Sequence, residues 1–368
     1  MIASAVARIR SAALLSNLER VRNAAPGARL LAVIKANAYG HGLEDVAQVL
    51  GTADAFAVAR IDAAIRLRLA GIDKPIVILG GGFDRDGVDL ARKYDLQLVV
   101  HSASQVELLA GLDGGAPVSV WLKIDSGMGR LGLAPAQARV AIERLRDCPA
   151  VTGDPVLMTH LARADDTDHP ATSEQLRLFG ETIGDWGGDV SIANSAGILA
   201  WPETLKTGPH LKYAGDNWVR PGLMLYGVSP FADRSPEELG LVPVMTFEAR
   251  LIAVRDIEAG DRVGYGGDWL AARDSRIGVI DAGYADGYSW RIPSGAPVRV
   301  GGTVVPVVGR ISMDMISVDL TDAPDVTVGD RVVLWGDEPG VADLAARAGT
   351  AVYELLTGVG NRVQRRME

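Results

Sequence analysis

Residues 31–42 read LAVIKANAYGHG. The apolar run Leu31–Ile34 before a glycine-rich stretch has the length and bounds of a buried strand. Lys35 follows it directly, where the chain leaves a core. A buried ammonium is costly unless paired or neutralised. An ordinary lysine at such a strand end extends its head to water. The other use of a lysine there is as an amine nucleophile, which forms Schiff bases with carbonyl compounds. The rest of the chain decides between the two.

Seven further runs of the same texture follow. With LLAVIKA (30–36) they are AFAVAR (55–60), PIVILGG (75–81), LQLVV (96–100), VSVWLKID (118–125), PVLMTHLA (155–162), DVSIANSA (189–196) and WVRPGLMLYG (218–227). Between them lie LEDVAQVL, DAAIRLRLAG, ASQVELLAGL and APAQARVAIERLRD, with apolar residues at three- and four-residue spacing. SAALLSNLERVRNAA precedes the first run in the same helical style. Continuous apolar strands alternating with amphipathic helices predict a parallel α/β (β/α)8 barrel. An open doubly wound sheet shares the pattern and stays as the alternative, because pattern does not show closure.

Past about residue 235 the texture changes. VMTFEARLIAVRDI, DSRIGVIDAGYADGY, APVRVGGTVVPVVGRISMDMISVDL and DRVVLWG are β-rich, with turn signals at EAGD and VGGT. Helical spacing returns near VADLAARAG. The expected division is a barrel over 1–235 and a mainly β domain over 236–368, joined through SPFADRSPEELGLVP.

At 368 residues the chain exceeds one ordinary core, which agrees with two domains. A net charge of −9 without a Lys/Arg block argues against nucleic acid and anionic membranes as partners. A small anionic ligand needs only a local site and stays open. Cys148 is the one cysteine, so no intrachain disulfide forms, as suits a reducing cytoplasm. No signal-peptide core and no membrane-spanning run are read. Five histidines without an HxxxH pair, and no CxxC, argue against a structural metal.

Barrel sites gather at the C-terminal strand ends. Lys35 falls there on the first strand, Lys123 and Arg130 on the fifth, His160 on the sixth, Asn194 and Ser195 on the seventh, and Arg220 with Gly222 on the eighth. Singly each has a plain reading. His160 is an interior histidine, Arg130 a turn arginine paired with Asp125, Ser195 a helix cap, and Tyr265 and Tyr353 packing residues. GMGRLG does not match GxGxxG and carries no dinucleotide signal. Together the rim residues suit a phosphorylated aldehyde, its phosphate near Ser195 and the Gly222–Leu223 backbone and its carbonyl on Lys35.

AVIKANAYGHG resembles the pyridoxal-phosphate attachment signature of bacterial alanine racemases. LKIDSGMGRLG, MTHLARAD, IANSAG, VRPGLMLYG, GYGG, DAGYADGY, GRISMDMISVD and YELLTGVGNRV extend the resemblance over nearly the whole chain. It implies a barrel followed by a β domain and an enzyme that interconverts L- and D-alanine, supplying D-alanine for peptidoglycan. It implies that Lys35 binds pyridoxal phosphate and serves as one base, and that Tyr265, supplied by the partner of a homodimer, is the other. Tyr39, Ser195, Tyr353 and the Gly222–Leu223 backbone hold the phosphate. His160 lies by the cofactor ring, Arg220 at its pyridine nitrogen, and Arg130 at its phenolic oxygen and the substrate carboxylate. The Met313 backbone also binds the carboxylate, and Tyr284 narrows the mouth of the site. Lys123 matches a position carbamylated in several relatives.

Departures are Ser312 where many members have cysteine, Trp290 before Arg291 where an arginine pair is common, and a looser ending, GVGNRVQRRME. Three other functions compete. They are a broader racemase, a barrel-type amino-acid decarboxylase and a non-catalytic pyridoxal-phosphate-binding protein. The decarboxylases carry a cysteine in the β domain, which this chain lacks, and the binding proteins are barrels alone.

Overall fold

The computed structural model describes residues 5–80 and 83–368. Gly81, the last residue of the third apolar run, lies outside them. The chain divides into two compact units, one of residues 14–38 and 43–242, the other of the described residues up to Ala13, Tyr39–Gly42 and Pro243–Glu368.

The first unit is the barrel. Its strands Arg29–Val33, Ala55–Val58, Ile76–Ile78, Leu96–Val100, Val120–Lys123, Val156–Met158, Val190–Ser191 and Trp218–Val219 form one 8-stranded sheet, paired in parallel. A parallel bridge between Val190 and Asn217, with the Val190 amide 3.0 Å from the Asp216 carbonyl, brings the ends of the sheet together. The open-sheet alternative therefore falls. Every strand is followed or preceded by a helix, from Ser11–Ala24 to Ser195–Ala200. Except for Leu96–Val100, which coincides with LQLVV, the strands end before the apolar runs that predict them. The last described residues of those runs leave the ladder, and several of these carry the polar side chains described below.

Side chains alternate across a strand, so Trp121 shares a face with Lys123. Trp121 is buried, donates Nε1–H to Gln97 Oε1 at 2.7 Å, and meets the edge of Trp218 with ring centroids 5.6 Å apart. The predicted connection has no regular elements and packs on the first helix. Asn17 there accepts the Val242 amide and donates to the Val242 and Leu225 carbonyls.

The second unit is mainly β. Its longest strand, Met245–Ile257, pairs antiparallel with Val6–Ile9, Ser275–Ile280 and Arg331–Trp335. Val6–Ile9 also pairs in parallel with Gln364–Met367. The first strand of the chain thus lies with its last, whereas a cut at 235/236 puts it with the barrel. Glu248, buried on the long strand, is paired by both Arg8 and Arg331, which answers the cost of burying a carboxylate. The VGGT turn joins Pro297–Val300 to Thr303–Pro306 through Gly301 and Gly302, both at positive φ. Helices Val341–Ala348 and Val352–Gly358 complete the unit. Among the described residues, no helix is long and apolar enough to cross a membrane.

Candidate active site

The first barrel strand ends at Val33, and Lys35 opens a turn wound the wrong way. Ala36, Asn37, Ala38 and Tyr39 have φ of 53°, 55°, 53° and 52°, and Gly40 has 83°. Left-handed geometry costs L-residues roughly 1–2 kcal/mol each, least for asparagine. The turn is held by the Ala38 amide on the Ile34 carbonyl at 2.9 Å and by Asn37 Oδ1, which accepts the Leu43 amide at 3.0 Å. Such strain collects at functional sites.

Lys35 sits among other cations. Its side chain reaches solvent, yet flanking protein strips part of its water. That loss, with the charges of Arg130 and Arg220, lowers its pKa. Lys123 is buried, and burial with the charges of Arg220, Arg130 and Lys35 lowers its pKa to about 8, against a smaller opposing effect of Asp125. Asp125 does not neutralise Arg130. Its Oδ1 accepts the amides of Gly127, Met128 and Gly129 at 3.0, 2.9 and 3.1 Å, so it shapes the DSGMG turn. Arg130 is exposed and has no ion pair among the described residues. Four cationic side chains share one rim with one carboxylate already engaged, which is a site for anions.

Arg220 is fully enclosed by neutral acceptors. It donates to Ser191 Oγ at 2.6 Å, to the Thr159 carbonyl at 2.6 Å, to the Ile192 carbonyl at 3.0 Å and to His160 Nδ1 at 3.3 Å. Burial lowers its pKa only to about 10, so it keeps its charge. Burial and then the charges of Arg220, Lys123, Arg130 and Lys35 push His160 down to about 2. The imidazole is neutral at physiological pH.

Ser195 does not cap the helix it begins. Asn194 does, its Oδ1 accepting the Gly197 amide at 2.9 Å. Ser195 Oγ is left to accept the amides of Gly222 at 3.0 Å and Met224 at 3.3 Å, so it joins the seventh and eighth strand ends. Leu223 opens the short 3-10 turn after Gly222.

The other expected residues lie in the second unit. The Tyr39 and Tyr353 rings are 5.9 Å apart at 43°, with Tyr39 buried and Tyr353 half exposed. Tyr353 thus meets a second tyrosine instead of filling a helix face. Tyr265 stands in a turn, Tyr265–Gly267, at 71% exposure, which excludes a packing role within the chain. Met313 and Tyr284 are also exposed, and their segments are in register. The Tyr284 amide reaches the Ser312 carbonyl at 3.1 Å and the Ala285 amide the Met313 carbonyl at 3.0 Å.

Sequence reading missed Asn37, Gln175, Arg362 and Arg365. Gln175 is buried, donates to the His160 carbonyl at 3.0 Å and accepts the Ala162 amide at 2.8 Å, which fixes the strand end that carries the histidine. For Asn37 a signal existed, since asparagine tolerates left-handed φ better than most residues.

A parallel barrel with a lysine in a cationic rim, followed by a β unit that exposes tyrosine and methionine, defines a two-domain enzyme of the lysine-centred barrel class. Residues 9–230 match the family described as "Alanine racemase, N-terminal domain" and residues 244–367 the "Alanine racemase, C-terminal domain". The alanine racemase of Aeromonas hydrophila subsp. hydrophila is 46% identical, with 98% of each chain covered, and that of Vibrio cholerae is 45% identical, covering 98% of this chain and 97% of the relative. The solved biosynthetic alanine racemase of Pseudomonas aeruginosa superposes with a TM-score of 0.91 at 43% identity, over 100% of both chains. That of Acinetobacter baumannii gives 0.89 at 37% identity, also over 100% of both. The chain belongs to the alanine racemase family.

Proposed function

We propose that the protein interconverts L- and D-alanine with pyridoxal 5′-phosphate held on Lys35, as a cytoplasmic homodimer, and so supplies D-alanine for peptidoglycan. The observation that carries this is Lys35 itself: an amine of lowered pKa at the end of the first barrel strand, set among Lys123, Arg130 and Arg220, which make no ion pair among the described residues. A phosphorylated, phenolic aldehyde and a substrate carboxylate would supply negative charge to these cations. The residues present fit that group. Lys35 offers an amine that is more readily neutral, Arg130 an exposed guanidinium with no ion pair among the described residues, and Ser195 a hydroxyl joined to the Gly222 amide.

Bound there, the cofactor would withdraw electrons from the substrate's Cα and make its proton acidic. The chain supplies the rest. Racemisation takes the Cα proton on one face and returns it on the other, which calls for two acid–base groups. The Lys35 amine serves one face and the Tyr265 hydroxyl of the partner serves the other. Arg130 and the Met313 backbone orient the carboxylate. Arg220 keeps its proton, so it would face the pyridine nitrogen only as a donor and would discourage protonation there. His160, neutral and fixed by Arg220, would lie by the ring. Ser195, Gly222, Leu223, Tyr39 and Tyr353 would hold the phosphate. Tyr284 narrows the mouth.

The test is direct. Purified protein with added pyridoxal phosphate is offered single L-amino acids, and D-products are measured by chiral chromatography. D-alanine forming faster than any other product supports the reading. Faster turnover of larger amino acids moves it to a broad racemase, and no D-product at all overturns it.

A further inference from the structure

We infer that Arg362 and Arg365, three residues apart in NRVQR (361–365), are positioning residues for two different parts of the site: Arg365 for the phosphate tyrosines, Arg362 for the segments that meet the substrate. This rests on the site proposed above.

Arg365 is a clamp on carbonyls. Its Nε donates to the Gly40 carbonyl at 2.6 Å and its Nη2 to the Val359 carbonyl at 2.8 Å, with weaker bonds to Gly360 and Val363 at 3.3 and 3.4 Å. Gly40 follows Tyr39, and Val359 follows the helix that carries Tyr353. One planar fork therefore ties together the two backbone segments whose rings pair. The approach is close: a Cβ on Gly40 would lie 2.0 Å from the Leu356 carbonyl oxygen. Lysine, a point charge, cannot bridge such a set.

Arg362 is a clamp on carboxylates. Its Nε lies 2.7 Å from Asp286 Oδ1 and its Nη2 2.6 Å from Asp314 Oδ1. Asp286 is buried, and its Oδ2 accepts the Gly283 amide at 2.9 Å, which closes the loop that carries Tyr284. Asp314 follows Met313. The two backbone bonds between these segments set their register, and Arg362 holds their far ends. The three motifs DAGYADGY, SMDM and GNRV thereby form one unit.

The two arginines share no partner, so their losses should separate. Arg365→Lys should weaken retention of pyridoxal phosphate, read by equilibrium dialysis of the loaded protein, by about tenfold to a hundredfold, with KM for alanine unchanged when the cofactor is saturating. Arg362→Lys should raise KM for alanine by a similar factor, about tenfold to a hundredfold, with cofactor retention unchanged. If either variant fails to fold, Arg365→Gln or Asp314→Asn replaces it, and the same two quantities are read. Both variants shifting the same quantity, or neither shifting while thermal stability falls, overturns the division. A wild-type protein that does not bind pyridoxal phosphate sinks the site reading itself, which the dialysis shows before any variant is compared.

Discussion

Arg220 donates to Nδ1 of His160 at 3.3 Å. A guanidinium only donates, so Nδ1 accepts and the ring proton sits on Nε2. The folded pKa is about 2, below the ordinary 6.5, so the unfolded chain binds the proton more readily. Stability from this group is complete above pH 6.5 and is lost progressively as pH falls from 6.5 toward 2. His160→Gln should flatten the fall of Tm with pH between 6 and 4, roughly the upper part of that window. An unchanged slope in differential scanning calorimetry would remove His160 from the acid sensitivity.

Lys35 and Lys123 share the rim and differ in exposure. Borohydride reduction of protein loaded with pyridoxal phosphate, followed by peptide mapping, should place the pyridoxyl mass on Lys35. A label on buried Lys123 would reverse the assignment.

Lys123 is suited to a different covalent change. With its pKa lowered to about 8, its amine is neutral in a larger fraction of molecules than an ordinary lysine. A neutral amine adds carbon dioxide, forming an N–C bond and releasing one proton. The carbamate that results is anionic and would offset the charge of Arg130 and Arg220. Enzyme depleted of carbon dioxide should lose activity and regain it with bicarbonate, and native mass spectrometry should show the added carbon dioxide. Plain lysine at full activity would dismiss the idea.

The eight apolar runs made the barrel legible, because a strand covered on both faces must be apolar throughout. The rim residues were legible because barrels place function at one end of those strands. Val6–Ile9 was not. Its alternation with Arg8 and Arg10 reads as polar until Glu248, 240 residues away, is seen to receive Arg8. The roles of Arg362 and Arg365 were hidden for the same reason. Their partners are carbonyls and carboxylates brought together only by the folded β unit. The left-handed turn after Lys35 was half legible, through Asn37 and Gly40.

That turn gives a stability test. Asn37→Ala removes the acceptor for the Leu43 amide and puts a less tolerant residue at φ 55°. The loss should be about 1–2 kcal/mol, read as a lower urea midpoint. Gly40→Ala should be worse, since φ is 83° and the new Cβ meets the Leu356 carbonyl oxygen. A midpoint for Asn37→Ala equal to wild type would show that the turn stores no strain.

Tyr265, at 71% exposure, is a candidate base that its own chain leaves uncovered. Lys35 lies in the barrel unit and Tyr265 in the β unit. If a homodimer places each β unit over its partner's barrel, every site draws one base from each chain. Lys35→Ala and Tyr265→Ala should then each be nearly inactive. Mixed under conditions of subunit exchange, half the dimers are hybrids at random pairing. One site of each hybrid carries both defects and the other carries neither, so roughly a quarter of all sites are whole by symmetry. Activity should climb toward a quarter of the wild-type value as exchange proceeds. Confirmed exchange by native mass spectrometry without recovery of activity would place both bases in one chain.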